Sequence, residues 1–395
     1  MKKTKIIFWV FILLVLLWVC VQTGMDKIYA YFYPNATAAN AASTSTSAES
    51  GPITLGVMLP LSGPAALYGA EAENVYESAV AEINQSGGIS GRQVALDTVD
   101  SSCTASGGEA AASQLARAGV QVIVGGLCGE ETSAAMPVAE SSGIVVFSPA
   151  DEDPQAGTSS LFLRDYPTTD DQANLDAETL YDQGRERVAV IHELSGRADN
   201  IYNAFKSKFT DLGGEVVQEG YATSTGSFAS YLSNLRGRAP EVLFVDAETP
   251  DSASLILDEV KRMGWKVHIM LNDVELGDQS LVSSHEAQLE GALGSEFTVD
   301  ASSTEYQRLS SAYVSRYGKA IVYANYAATE YDAIYILKDA IIAVGYNGAK
   351  IAQWVRGLNE WDGASGSVSI DSNGDRRNCF TMKVVKRGQV QSLEG

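Results

Sequence analysis

Few residues in this chain are of types that do chemistry, and they are widely spaced. Cys103 and Cys128 each stand at the end of a β-like run, while His192, His268 and His285 are scattered and none neighbours a cysteine. A metal site at the cysteine pair would therefore lack partners. A nucleophile elbow needs Gly-x-Ser-x-Gly, and Gly363-Ala-Ser-Gly-Ser367 departs from it at the last position. Neither a Gly-x-x-x-x-Gly-Lys loop nor a Gly-x-Gly-x-x-Gly turn follows the first strand. These absences point to a binding protein rather than an enzyme, with no cofactor and no metal.

The chemistry that remains is recognition by loops. Pro60-Leu-Ser-Gly-Pro64 leads to Tyr68, Gly125-Gly126 leads to Leu127-Cys128-Gly129, and Ser148-Pro-Ala150 leads to Asp151-Glu152-Asp153. Glycines after a strand permit close backbone approach and offer N–H groups to an anion, although a tight turn asks for the same residues.

The elements that must position these loops alternate. Strands are expected at Ile53–Leu59, Gln93–Val99, Val120–Val124 and Ile144–Phe147, separated by helices at Ala70–Gln85, Gly108–Ala118 and Thr132–Ser141. A second series after Pro167 repeats the layout, with strands at Arg187–His192, Glu215–Tyr221, Glu241–Val245 and Lys266–Leu271. The expectation is an α/β protein of two doubly wound, parallel-sheet lobes. Helices follow at Ser303–Tyr317, Ala324–Ala343 and Ala349–Leu358, and short strands flank the turn Asp371-Ser-Asn-Gly-Asp375. That turn lacks the flanking helices and distal Glu of a calcium loop.

Compartment is read from the N-terminus. Lys2, Lys3 and Lys5 precede the uncharged, apolar run Ile6–Val21. An uncleaved membrane anchor fits its bulky residues best; a lipoprotein signal acylated at Cys20 is the second reading, and a cleaved signal peptide the third. Residues 1–25 are thus anchor or signal, and 26–51 a flexible Ala/Ser/Thr linker. Four lysines against two carboxylates in residues 1–50 leave the remainder at −23, against −21 overall. Such a surface disfavours nucleic acid. Outside the cell membrane the environment is oxidising, so Cys103 and Cys128 are expected to pair. Closing a loop of about 25 residues stabilises by roughly 3.5 kcal/mol in the chain-entropy picture.

The pattern Gly56-Val-Met-Leu-Pro-Leu-Ser-Gly-Pro64, Tyr68-Gly69, Ala81-Glu-Ile-Asn84, Gly87-Gly-Ile89, Gly91-Arg92, Ser148-Pro-Ala150, Tyr326-Ala-Ala-Thr-Glu-Tyr-Asp-Ala333 and Gly366–Asp375 resembles the leucine/isoleucine/valine-binding proteins of ABC transporters. The resemblance covers about residues 53 to 390 and implies a type I periplasmic binding fold. It implies three hinge crossings, near 164–168, 296–300 and 374–379. Lobe 1 would be 52–166 with 298–374, and lobe 2 would be 167–297 with 375–395. The implied function is an extracytoplasmic, membrane-tethered solute-binding protein that closes on its ligand and engages an ABC permease. A sensory module reporting to a separate receptor is the alternative.

Carried over by residue, the resemblance places a ligand carboxylate against Leu127, Cys128 and Gly129, and an ammonium against the carbonyl of Ala150 and Asp273. Tyr68 would cover the ligand. Gly129 stands where the family often has Ser, and Glu152 where it commonly has Thr. The second-lobe loops, with Arg197 in one and Glu248 and Thr249 in the other, lack the usual Tyr. With Glu152 added, and Glu130 or Glu248 beside it, the expected ligand is a basic amino acid, polyamine or amide, richer in positive charge or hydrogen-bond donors than leucine. The bland alternative has Glu130, Asp151, Glu152 and Asp153 facing solvent.

Overall fold

The computed structural model describes residues 51–154, 159–377 and 380–393. The apolar run, Cys20 and Cys379 lie outside the described residues, as does all of the linker but Gly51. Among the described residues no helix is long and apolar enough to cross a membrane.

The first lobe grows from β1 (Ile53–Leu59), whose side chains are almost wholly buried. It is followed by α1 (Ala66–Gln85), β2 (Val94–Asp100), α2 (Ala105–Ala118), β3 (Val122–Gly125), α3 (Gly129–Ser142), β4 (Val145–Ser148) and β5 (Phe162–Arg164). The strands form one parallel sheet in the order β2-β1-β3-β4-β5. The order reverses direction between β1 and β3, and a crevice opens there at the carboxyl ends of the strands.

The chain then crosses to the second lobe. There α4 (Thr169–Asp182), β6 (Arg187–Glu193), α5 (Gly196–Asp211), β7 (Glu215–Tyr221), α6 (Ala229–Arg236), β8 (Val242–Asp246), α7 (Pro250–Arg262) and β9 (His268–Leu271) repeat the winding. Short helices α8 (Asp273–Gly277), α9 (Gln279–Ser284) and α10 (Glu286–Leu289) lead to β10 (Leu293–Phe297). The chain returns through α11 (Thr304–Tyr317), α12 (Ala324–Val344), α13 (Gly348–Val355) and the hairpin β11 (Trp361–Gly363) with β12 (Gly366–Val368). It ends with β13 (Phe380–Lys386) and β14 (Gln389–Ser392), antiparallel strands that complete a seven-stranded sheet in the order β14-β13-β10-β9-β8-β6-β7. This sheet reverses between β6 and β8, so both lobes offer the same kind of crevice.

Helix α1 buries Ala72, Val75, Tyr76, Ala79 and Ile83 in a core shared with Ala333, Ile336 and Leu337 of α12. Each large apolar side chain buried this way contributes about 1.5–3 kcal/mol. The expected β-strand Gln93–Val99 begins at Val94, and α3 starts at Gly129 rather than Thr132. Strand β5 and the α8–β10 segment have no sequence-based counterpart among the expected elements.

Two buried arginines hold the crossings. Arg164 Nε donates to Asp375 Oδ1 at 2.6 Å, and Arg376 Nη1 to Asp165 Oδ1 at 3.2 Å. In the turn between, Asp371 Oδ1 accepts from the N–H groups of Asn373, Gly374 and Asp375. Its carboxylate thus serves the turn itself, as a hairpin-type turn requires.

Candidate functional site

The first wall of the cleft is the turn from β1 into α1. At position 69 a Cβ would come within 2.2 Å of the Pro60 carbonyl oxygen, so only glycine lets the helix start this close to the loop. That packing presents Tyr68, which stays 42% exposed. At Gly125, φ is +118° and a Cβ would lie 2.1 Å from Met58 O, so the loop after β3 also requires glycine. Ser148 Oγ donates to Gly126 O at 2.6 Å and accepts from Asp151 N–H at 2.9 Å, tying this loop to the one after β4. Arg164 Nη1 donates to the carbonyls of Asp151 and Asp153, at 3.1 and 2.8 Å.

The loop at 127–129 differs from expectation. The N–H groups of Leu127 and Cys128 already donate to Glu131 Oε1, at 2.7 and 3.3 Å, and Ser101 Oγ donates to Glu131 Oε2 at 2.5 Å. Burial raises the Glu131 carboxyl, with these donors working against the shift. A side chain at 129 would come within 3.0 Å of Asp153 Cβ and 3.2 Å of its Oδ2, so Asp153 fills the space a serine would use. The chain supplies its own carboxylates where a ligand carboxylate was expected. Cys128 is joined to Cys103, with Cα atoms 5.6 Å apart, which fixes the same loop to the end of β2.

A tyrosine wall comes from the start of α12. Glu71 accepts from the N–H groups of Val322 and Tyr323, and Tyr323 stacks on Tyr68 with ring centroids 4.1 Å apart. Tyr326 meets Tyr68 edge-on at 6.1 Å and stacks on Tyr166 at 5.0 Å. Thr329 Oγ1 donates to Pro149 O at 2.7 Å and locks this helix to the loop after β4.

The second lobe contributes the start of α5. Ser195 caps it, and Glu248 accepts both the Ser195 hydroxyl and the Ala198 N–H. Arg197, in the first turn, reaches across the cleft. Its Nε lies 3.0 Å from Glu152 Oε2 and its Nη2 2.5 Å from Asp273 Oδ1. Gln172 Nε2 steadies Asp273 Oδ1 at 3.1 Å. Burial raises the Glu152 carboxyl, the neighbouring Arg197 opposes that rise, and Asp273 adds to it.

Together these walls enclose a cavity of about 420 Å³, within the usual range for small-molecule sites. Of the expected residues, Tyr68, Leu127, Cys128, Gly129, Glu130, Ala150, Asp151, Glu152 and Arg197 line it. Glu248, Thr249 and Asp273 do not. Glu248 caps α5, Thr249 Oγ1 accepts from Ser252 N–H to cap α7, and Asp273 touches the cavity's lining through Arg197. Asp153 of the same loop lines it too, and the sequence reading did not single out Glu71, Thr169, Asn200, Tyr323, Tyr326 and Glu330, which also line it. The Tyr326–Glu330 stretch was visible as a motif, but nothing local says that a helix from residue 324 onward returns to the first lobe.

Two α/β lobes, three crossings and a cavity between carboxyl-end loops define a cleft-binding protein. The chain belongs to the periplasmic binding protein family, whose model matches residues 52–389. It is similar to Leu/Ile/Val-binding protein homolog 1 of Brucella abortus, with 24% identity over 330 residues that cover 82% of this chain and 87% of that protein. Among solved structures it is similar to a leucine binding protein from Thermotoga maritima, at 24% identity and a TM-score of 0.70, covering 87% of this chain and 98% of that one. A solute binding protein of an ABC transporter from Rhodopseudomonas palustris, in complex with 3,4-dihydroxy benzoic acid, has 19% identity and a TM-score of 0.68, covering 87% and 96%. At these identities the structural likeness is one of fold.

Proposed function

We propose that this protein is the extracytoplasmic solute-binding component of an ABC importer and holds an amino acid, or a related amine or amide, between its lobes. The observation that carries the reading is the cavity of about 420 Å³ lined from both lobes. A ligand that touches both walls stabilises the closed arrangement by population shift. The relatives' names, which speak of leucine, isoleucine and valine, support the solute class. In this reading residues 52–166 with 298–374 form lobe 1 and 167–297 with 375–395 lobe 2, the apolar N-terminal run tethers the protein outside the membrane, and a permease receives the closed form. The disulfide suits that oxidising side.

Glu152 changes the ligand expected. Its charge is met by Arg197, so it does not demand a polycationic solute, and a polyamine is disfavoured against an amino acid or amide. The test is a thermal-shift panel on the purified full chain, using amino acids, amides, aromatic carboxylates and polyamines. A solute at 100 times its Kd stabilises by about 2.7 kcal/mol. Stabilisation by an amino acid or amide is the expected result. No shift with any member overturns the reading.

A further inference from the structure

Glu152 comes from the first lobe and Asp273 from the second, yet both converge on one guanidinium, at 3.0 and 2.5 Å. Each carboxylate is independently positioned: Gln172 holds Asp273, and the Tyr326 hydroxyl lies 3.4 Å from Glu152 Oε1. Paired carboxylates fixed this way would grip an ammonium or guanidinium of a solute as readily as they grip Arg197.

The guanidinium is not part of the apolar face that seats its own helix. Helix α5 packs through Ala198, Ile201, Tyr202, Phe205 and Phe209. Arg197 lies beside that stripe, with its side chain 20% exposed at the cavity. It therefore hangs into the cleft on a flexible stem from a helix anchored by other residues.

We propose that Arg197 is an internal occupant of a cation receptor formed by Glu152 and Asp273, and that it determines which solutes the cleft admits. The proposal rests on the reading of the cleft as a solute site. A tethered group competes at an effective concentration in roughly the millimolar range. A solute that brings an amine to this end must displace Arg197. A solute that presents an oxygen acceptor instead meets the partly exposed Arg197 side chain, whose buried Nη1 has no hydrogen-bond partner among the described residues and a donor to spare once it turns outward. The cleft thus selects solutes whose acceptor end faces the second lobe and rejects those whose cationic end does.

The test compares the full chain with R197M, which keeps most of the stem, using methylguanidine and agmatine as probes in titration calorimetry. The expected result is a gain in affinity of about tenfold or more in R197M. The gain disappears in R197M/E152Q and in R197M/D273N. R197K, whose ammonium is a point charge that spans both carboxylates poorly, shows a smaller gain. Equal affinity in wild type and R197M, or a gain that survives both double variants, overturns the proposal. Should R197M lack a cooperative unfolding transition, R197K decides alone, since any gain there supports the proposal and none refutes it. Wild-type binding of a panel amino acid without a cation gain in the variants sinks this inference and leaves the solute reading intact. Wild type binding no panel member sinks the solute reading.

Discussion

Arg197 Nε lies 3.0 Å from Glu152 Oε2, so the first turn of a second-lobe helix holds a loop of the first lobe. This pair exists only while the lobes are close. Removing one partner of a fully buried pair costs about 3–5 kcal/mol, but here both side chains are about one-fifth exposed and Arg197 keeps Asp273. Glu152→Gln is expected to lower stability by about 1–2 kcal/mol. A double-mutant cycle with Arg197→Met, read by urea unfolding, should show coupling near 1 kcal/mol. Additive single effects would mean that the contact does not hold the lobes.

Asp246 ends β8 fully buried, with Oδ1 accepting from Asn272 Nδ2 at 2.9 Å. Burial pushes its carboxyl up to about 8, with Asn272 and Arg197 pulling the other way. An unfolded aspartate titrates near 3.9. The folded state therefore holds the proton more tightly, and this contribution to stability is complete below about pH 4 and lost as pH rises toward about 8. Urea midpoints measured between about pH 5 and pH 8 should fall with pH, and Asp246→Asn should flatten the fall. An unchanged slope in the variant would assign the effect to other groups.

Arg376 carries the return crossing. Its Nη1 meets Asp165 Oδ1 at 3.2 Å and Ser365 Oγ at 2.8 Å, and its guanidinium lies 5.0 Å from the Phe297 ring centroid. Both side chains are out of water, and burial pushes the Asp165 carboxyl up to about 8 while Arg376 pulls it back down, so Arg376→Met leaves a protonated Asp165 and the Ser365 hydroxyl without this partner. The expected loss is about 1–3 kcal/mol by chemical denaturation. A loss below about 1 kcal/mol would show that the crossing is held by packing alone.

The bond between Cys103 and Cys128 closes a loop of 25 residues. Cys103→Ser/Cys128→Ser is expected to lose roughly 3.5 kcal/mol. It should also raise hydrogen exchange at Leu127 and Cys128, whose N–H groups are held by Glu131. Unchanged protection there would mean that Glu131 alone fixes the loop.

Tyr68 stacks on Tyr323 yet remains exposed at the cleft. Tyr68→Ala should cost about 0.5–1.5 kcal/mol of stability, the worth of an aromatic pair. It should weaken the Kd of the bound solute about tenfold, a loss of about 1.4 kcal/mol. A stability loss without an affinity loss would make the pair structural.

The order of strands and helices was legible because Ile53–Leu59 and Arg187–His192 are mostly apolar runs bounded by turns, and the helices between carry three- and four-residue spacing. Loop residues such as Tyr68 and Glu152 were legible because they follow strand ends. Three things were not. Glu131 belongs to a helix, and nothing local says its carboxylate turns back onto the Leu127 and Cys128 N–H groups. Arg197 read as one more loop residue, since its partners are 45 and 76 positions away. Strand β5 has only three residues, Phe162–Arg164, too few to show a period.

Glu71 in the first helix receives the N–H of Val322, 251 residues further on. Strands β6 to β10 belong to the other sheet, which itself waits for β13 and β14. As the chain leaves the ribosome, the first core cannot finish before α12 is made, nor the second sheet before β14. Contacts so distant in sequence form slowly. Each core therefore joins segments from distant parts of the chain and stays incomplete while either segment is missing.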